Sequence, residues 1–409
     1  MEHSAARKVC VVVTARASYS RIRTALAAIQ EHEDLKLQLV VGSSAVLARY
    51  GNVVQCIQND GFRIDAEIFN IVEGENLVTS AKSTGLALVE LATVFANLKP
   101  DVVVSIADRF ETLATATAAA YMNIPLAHIQ GGEVTGSIDE KVRHAITKLA
   151  DLHLVSSQQA AERVVRMGES RSKVHVTGCP SIDLAHEVLQ SPQLDFDPLV
   201  KYGGVGNDVD LSHGYLVVLQ HPVTTECADS LLQINETLYA VKDLGLPVLW
   251  FWPNVDAGSD ATSKGIRRFR ERENPANFRF FKHMDSKDFL RLLCNSRGIV
   301  GNSSVAIREC SYLGVPAVNV GTRQEGRDRG RNVIDVPHDR QAIRAAIETH
   351  LVQGRAVRDT LYGHGDSGER IAQVLATAVL DIHKRLEFED EAQSPAYLKH
   401  PLRTQRRAA

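Results

Sequence analysis

The sequence lacks most of the usual signatures of a specialised chemistry. Its six cysteines (Cys10, Cys56, Cys179, Cys227, Cys294 and Cys310) are scattered and form no CxxC pair. That argues against a metal or redox pair and suits free thiols in a reducing cytoplasm. Lys and Arg number 46 against 49 Asp and Glu, for a net charge of −3. No bulk basic field exists to attract nucleic acid or a membrane surface. No uninterrupted apolar run reaches the roughly 18 residues that span a bilayer. The opening MEHSAARKVC is too short and polar for a secretory signal. There is no GxxxxGK[ST] and no HExxH, and the first strand is not followed by GxGxxG. These absences set aside the Walker A sequence, the zinc-peptidase motif and the usual dinucleotide fingerprint. No internal repeat stands out.

What remains is an ordinary globular composition, 44% hydrophobic and 23% charged over 409 residues. At roughly 100–200 residues per domain, two domains are expected. Short β-branched runs alternate with helical patterns. VCVVVT, LQLVVG, DVVVSIAD, PLAHIQ, LHLVSS and KVHVTG read as strands before about residue 180. Their continuous apolar character fits parallel strands covered on both faces. GYLVVLQH, LPVLWFWP, FRFFKH, GIVGN and VPAVNVG form a second set. The stretch 191–214, rich in Pro, Gly and Asp, reads as the boundary region. The predicted architecture is α/β: two Rossmann-like domains facing a cleft, at residues 7–190 and 191–367. A C-terminal helix over 368–388 is expected to pack back on the first domain, with a polar tail at 389–409. Ligands bind at the carboxyl ends of strands in such sheets, so the cleft should hold the site.

Several stretches there carry chemistry. Arg16 follows the first strand and Ser20 is read as opening a helix, whose free amides attract anions. Asp108 ends the third strand run. It is either an N-cap or an acid aimed at the cleft, while Glu111 reads as helix-dipole compensation. HIQGGEVTGSIDE, from His128 to Glu140, is a glycine-rich turn into a helix. Ser137 and Glu140 fit a capping box. Ile138, Val142, Ala145, Ile146 and Leu149 form an apolar stripe, off which Arg143 is spaced to pair with Asp139. Gly131, Gly132 and Gly136 permit positive φ or a close approach to a ligand. In the second half His221 follows a strand, as proton donor, phosphate ligand or plain turn residue. Gly301-Asn302-Ser303-Ser304 reads as the start of a helix bearing Glu309, a carboxylate suited to two ribose hydroxyls. Arg323, Arg327, Arg329 and Arg331 follow another strand and are expected to point at the cleft. Anion sites contributed by two domains suggest a nucleoside diphosphate held between them.

VVSIADRFETLA, HIQGGEVTGSIDEKVRHAITKLAD, VTGCPSIDLA, LQHPVTTE, PNVDAGS, GNSSVAIRE and VNVGTRQEGR together resemble the hydrolysing UDP-N-acetylglucosamine 2-epimerases. These are the bacterial sialic-acid-pathway enzymes and the epimerase half of the animal bifunctional enzyme. The match runs in order over about residues 8–375. The resemblance implies a glycosyltransferase B fold, no cofactor and no metal, and a homodimer or homotetramer in the cytoplasm. It implies elimination of UDP to a 2-acetamidoglucal, then addition of water to release N-acetylmannosamine. Arg16, Ser20, His221, Ser303, Ser304 and Arg323 would hold the nucleotide and its phosphates, and Glu309 the ribose. Asp108, Glu133 and Asp139 would form the acid–base set at the sugar. Two departures stand out. Ser18 replaces an acid of the family's Arg-Ala-Asp/Glu-Tyr pattern. Gln130 stands where the animal enzyme and the non-hydrolysing relatives have glutamate, and an amide takes no proton at neutral pH. Relatives acting on GDP-linked N-acetylglucosamine or UDP-linked diacetamido-trideoxy sugars, a glycosyltransferase of the same fold, and a non-catalytic nucleotide-sugar-binding regulator are the alternatives.

Overall fold

The computed structural model describes residues 6–48, 52–74, 76–136, 138–253 and 257–387. Ser137 of the expected capping box, residues 254–256 of PNVDAGS and the 389–409 tail lie outside them. The first sheet contains β1 (Arg7–Val13), β2 (Leu35–Gly42), β3 (Ala66–Ile68), β4 (Val102–Ile106), β5 (Leu126–Ile129), β6 (Leu152–Val155) and β7 (Val174–Val176). Its order is β3-β2-β1-β4-β5-β6-β7, with every pairing parallel. The second contains β8 (Val205–Gly206), β9 (Leu216–Leu219), β10 (Val248–Phe251), β11 (Phe278–Phe281), β12 (Gly298–Gly301), β13 (Ala317–Val320) and β14 (Val333–Val336). Its order is β14-β13-β12-β9-β10-β11-β8, with only the β8–β11 pairing antiparallel. Leaving out β7 and β8, both sheets have the same 3-2-1-4-5-6 order. This is the glycosyltransferase B architecture expected from the sequence.

Strand order reverses between β1 and β4 in the first sheet and between β9 and β12 in the second. Loops diverge at such points and leave a crevice for ligand. Central strands are buried along their whole length, as in Val102–Ile106 and Gly298–Gly301. Val, Ile and Leu there pack against helices on both faces.

The C-terminal helix spans only Ser367–Thr377. Ile371, Ala372 and Leu375 join the first domain's core beside Ile22, Leu26 and Ile29. Among the described residues beyond it, to 387, the chain is non-helical. Lys384 donates to the Thr147 and Ala150 carbonyls and to the Glu169 carboxylate, contacts that hold the non-helical stretch against the first domain. The chain thus crosses between domains twice, and the crossings touch. Cys179 N donates to the Tyr362 carbonyl at 2.7 Å. The Asp183 carboxylate accepts from Ser367 N at 2.8 Å and Gly368 N at 2.7 Å.

Among the described residues one helix, Leu77–Leu98, is long and apolar enough to cross a membrane by length and composition alone, with mean hydropathy 1.2. The sequence reading missed it because Lys82 and Glu90 interrupt the run. Ser83, Ala87, Leu91 and Phe95 form its buried face.

Candidate active site

Two adjoining cavities lie between the domains. The larger, about 220 Å³, is lined by Arg16, Ser20 and Arg21 from the first domain and by Phe251, Trp252, His283, Phe289 and Glu309, among others, from the second. The smaller, about 80 Å³, is lined by Asp108, Arg109, Asp139, His221 and Arg323, among others. Ala17, Arg21, Ser303 and Ser304 line both. A ligand entering both would have an aromatic, nucleoside-sized end and an acidic, sugar-sized end, joined beside a guanidinium and two hydroxyls.

The first-domain helix starts at Arg16, so Ser20 lies in its second turn instead of opening it. Ala15 at the cap position has no side-chain acceptor, and the first-turn amides have no intrahelical partner. Arg16 donates to the Met284 carbonyl across the cleft, while its Nη1 is buried without a hydrogen bond. Ser20 Oγ accepts from Ser286 Oγ at 2.7 Å.

At the ends of β4 and β5 the same device appears twice. Ala107 (φ 59°) and Gln130 (φ 67°) are left-handed, which costs a non-glycine residue about 1–3 kcal/mol. Each amide donates to the neighbouring strand, Ala107 N to Ile129 O and Gln130 N to Leu154 O, both at 2.9 Å. The residue after Ala107 is Asp108, which the left-handed turn directs to the cavity. His128 steadies that turn: its Nε2 lies 2.9 Å from the Ala107 carbonyl and its Nδ1 3.2 Å from Thr147 Oγ1. Burial pushes the His128 pKa down to about 3, so the ring is neutral and Nε2–H donates to Ala107.

Asp108 is not an N-cap. Its Oδ2 accepts from Arg143 and lies 3.8 Å from Arg327 Nη2. Arg143 therefore serves Asp108, not Asp139, and also donates to the Glu133 carbonyl and to Glu140 Oε2, each at 3.0 Å. The apolar stripe is rotated to admit it. Val142, Arg143, Ile146 and Thr147 are buried, while Ile138 is exposed. Glu140 accepts from Thr135 N at 2.8 Å. Glu111 occupies the N-cap position of the helix Thr112–Tyr121 and is buried against Arg109 at 2.7 Å. Asp139 lies 3.9 Å from Arg323 across the cleft.

Glu133 lines neither cavity. It is buried beneath them, accepting from Ser156 Oγ at 2.7 Å and lying 3.3 Å from Arg308 Nη1 and 3.2 Å from Arg327 Nη2. Burial opposes its charge, but Arg327, Arg308 and Ser156 outweigh that and hold it below the usual carboxylate range. Gln130 also stays below the cavities. Its amide donates to Cys179 Sγ at 2.7 Å and its oxygen accepts from Arg21 Nη1 at 3.1 Å. Burial, then the nearby Arg308 charge, lowers the Arg21 pKa to about 9.

The glycines of this turn serve protein contacts, not close approach to a ligand. A Cβ on Gly136 would lie 2.1 Å from the Thr322 carbonyl of the other domain, and one on Gly132 (φ 75°) 2.2 Å from Ala160 O.

In the second domain, Asn302 clamps the backbone of His221: Oδ1 accepts from its amide at 2.7 Å and Nδ2 donates to its carbonyl at 2.8 Å. Ser303 and Ser304 open a 3₁₀ turn, Ser304–Ala306, and Glu309 begins a separate five-residue helix. Ser304 Oγ accepts from Arg308 Nη2 at 2.8 Å. Glu309 Oε2 is buried without a hydrogen bond. Of the four arginines after β13, Arg323 lines the smaller cavity and Arg327 is buried against Glu133 of the first domain. Arg329 turns to Asp335 at 2.6 Å and Arg331 is exposed.

The family model for UDP-N-acetylglucosamine 2-epimerase matches residues 27–376. The chain belongs to that family. It is 33% identical over 374 residues to the hydrolysing UDP-N,N'-diacetylbacillosamine 2-epimerase of Legionella pneumophila, covering 91% of this chain and 97% of that one. It is 30% identical over 373 residues to the UDP-N-acetylglucosamine 2-epimerase of Neisseria meningitidis, covering 90% and 94%. The fold matches that of Methanocaldococcus jannaschii UDP-GlcNAc 2-epimerase, crystallised with UDP-GlcNAc and UDP. The TM-score is 0.75 at 18% identity, over 91% of this chain and all of that one. The sequence gives no sign of Arg21, Arg308 or the aromatic wall Phe251, Trp252 and Phe289 as site residues, and it pairs Arg143 with Asp139 where the structure pairs it with Asp108. Arginines on helices look like a solvated face. Only partners distant in sequence, here Asp108, Glu133 and Gln130, reveal them as buried.

Proposed function

We propose that the protein is a hydrolysing nucleotide-sugar 2-epimerase that converts UDP-N-acetylglucosamine to UDP and free N-acetylmannosamine. The observation that carries this reading is the pair of joined cavities, with acids in the smaller and Arg21, Ser303 and Ser304 at the junction. The diphosphate would lie at that junction. Cationic and hydroxyl donors there stabilise charge as the C1–O bond breaks. Asp108 is the base facing C2–H, with both arginines on Oδ2 leaving Oδ1 for the substrate. Asp139 and His221 are the other side chains of the sugar end that could exchange a proton with the substrate. Glu133 is then a counter-ion for Arg308 and Arg327 and not part of the acid–base set. Glu309 Oε2 accepts from the ribose, and Arg16 and Arg323 complete the nucleotide site. Water then adds to the 2-acetamidoglucal. We further propose a cytoplasmic homo-oligomer.

Incubation with UDP-N-acetylglucosamine in deuterium oxide should release UDP and N-acetylmannosamine labelled at C2. UDP-N-acetylmannosamine as the product would mark the non-hydrolysing reaction. An unexchanged C2 with sugar passed to an acceptor would mark a glycosyltransferase. Tight binding with no turnover would mark a regulator. The 33% identity to the Legionella protein favours, as a second reading, the same chemistry on a UDP-linked diacetamido-trideoxy sugar. The substrate panel should include that sugar and GDP-N-acetylglucosamine. Release of nucleotide from none of them overturns the proposal.

A further inference from the structure

The non-helical stretch after the C-terminal helix does more than cover an edge of the first domain. It is held at two points. Lys173 Nζ donates to the Val379 carbonyl at 2.9 Å, and Glu387 N donates to the Gly168 carbonyl at 3.0 Å. Gly168 is left-handed at φ 85°, and a Cβ there would lie 2.4 Å from Leu386 Cδ1. Between the two points Lys384 turns inward, to the end of the helix Ile138–Leu149.

Charge shows what Lys384 does there. Glu169 is buried and already has a cation, Lys148 Nζ at 2.6 Å, with His153 Nε2 at 3.0 Å. Lys384 brings a second ammonium to the same carboxylate. The surplus charge falls to the Ala150 carbonyl and to the Thr147 carbonyl at 3.4 Å. A helix leaves its last carbonyls without partners and carries partial negative charge at that end, so a cation is favourable there. Lys384 thus grips the helix itself.

Two routes lead from the gripped end to Asp108. Along the helix, Arg143 lies one turn before Thr147 and donates to the Asp108 carboxylate. Through Thr147 itself, Oγ1 donates to His128 Nδ1 at 3.2 Å, and His128 Nε2 donates to the Ala107 carbonyl at 2.9 Å. Thr147 and His128 are both wholly buried. Ala107 is left-handed, a conformation that a non-glycine residue keeps only where its surroundings enforce it. Asp108 is therefore fixed on its side-chain side by Arg143 and on its backbone side by His128. Both supports rest on the helix whose end Lys384 holds.

We propose that Lys384 is a positioning residue: by holding the Thr147 and Ala150 carbonyls at the end of the helix Ile138–Leu149, it sets the placement of Asp108 at the sugar end of the cleft. The effect on turnover rests on the reading of Asp108 as the base, whereas the effect on the placement of Asp108 does not.

The test uses the full chain. Lys384→Met keeps the aliphatic stem and leaves Glu169 its Lys148 partner. Hydrogen exchange read by mass spectrometry should quicken about tenfold at residues 105–109 and along Ile138–Leu149, with the second domain unchanged. Turnover of UDP-N-acetylglucosamine should fall by about ten- to a hundredfold, the scale of a slight misplacement of a reacting group. KM and UDP affinity should stay within about twofold. Lys384→Gln, which keeps a donor for the carbonyls but not the charge, should show a smaller change of the same kind. Lys148→Met strips Glu169 of its other ammonium but leaves the Thr147 and Ala150 carbonyls alone, so turnover should hold within about twofold. Thr147→Val cuts the His128 contact only, and adding it to Lys384→Met should slow turnover no further. Unchanged exchange at 105–109 in both Lys384 variants overturns the proposal. So does an equal loss of turnover in Lys148→Met, or a double variant whose loss is the product of the two single losses. A wild type that releases nucleotide from no sugar sinks the functional reading, while the exchange comparison still decides this one.

Discussion

Arg327 and Glu133 meet across the domain boundary at 3.2 Å, both almost wholly buried. Arg308 adds a second cation from the same side at 3.3 Å. Removing one member of such a group leaves a buried charge uncompensated, at a cost of about 3–5 kcal/mol. Glu133→Gln should therefore lower the melting temperature markedly while leaving both cavity linings in place. An unchanged melting temperature would show that Glu133 is not the counter-ion described here.

Asp108→Asn should cut turnover by about 10²–10⁴-fold, the usual contribution of a positioned base. UDP affinity should stay within about twofold, because Asp108 lines the cavity remote from the nucleoside wall. Calorimetry beside product assays separates the two effects. A parallel loss of affinity would move Asp108 from chemistry to binding.

Gln130→Glu tests the family's missing acid. The glutamine oxygen accepts from Arg21 and its amide donates to Cys179. A carboxylate would neutralise Arg21 at the cavity junction and lose the donor to the thiol. UDP binding should weaken about tenfold and turnover should slow. Faster turnover would instead mean that the glutamine is a deficit.

Glu309→Gln should weaken UDP binding by about tenfold, as hydrogen bonds to a charged group contribute ~1.5–3 kcal/mol. Binding of 2′-deoxy-UDP should change less. Equal losses for both ligands would remove Glu309 from the ribose.

Acid should destabilise the fold in two overlapping windows. Below pH 6.5 the unfolded chain protonates His128, while the folded chain resists until about pH 3. Each pH unit lost in this window removes ~1.4 kcal/mol from that group. Glu169 is held at about 2, where His153, Lys148 and Lys384 outweigh its burial. Its stabilisation is present above pH 4.5 and is lost on the way to pH 2. His128→Gln should flatten the wild-type decline in melting temperature between pH 6.5 and 4.5. An equal slope in both proteins would count against a buried neutral His128.

Most of the fold was legible because parallel strands buried on both faces are written as apolar runs. β3, β8 and β14 were not: the first two have three and two residues, and β14 is exposed at Asp335. The cavity residues after β1, β4, β9, β12 and β13 were legible from their position at strand ends. Glu133 and Gln130 were assigned by resemblance to the sugar, but the turn after β5 carries them beneath the cavities. Ser20 takes a different place in its helix because a helix start without a side-chain cap, like Ala15, leaves no mark in the sequence, whereas Ser303 does cap a turn, but a 3₁₀ one separate from the helix that bears Glu309.

The paired crossings at Cys179–Tyr362 and Asp183–Ser367 have a mechanical consequence. Two strands of chain bound side by side behave as a single pin. Any opening of the second domain should turn about this pin, because both crossings are held together. A single pair of labels placed far from the pin should then report the angle between the two domains.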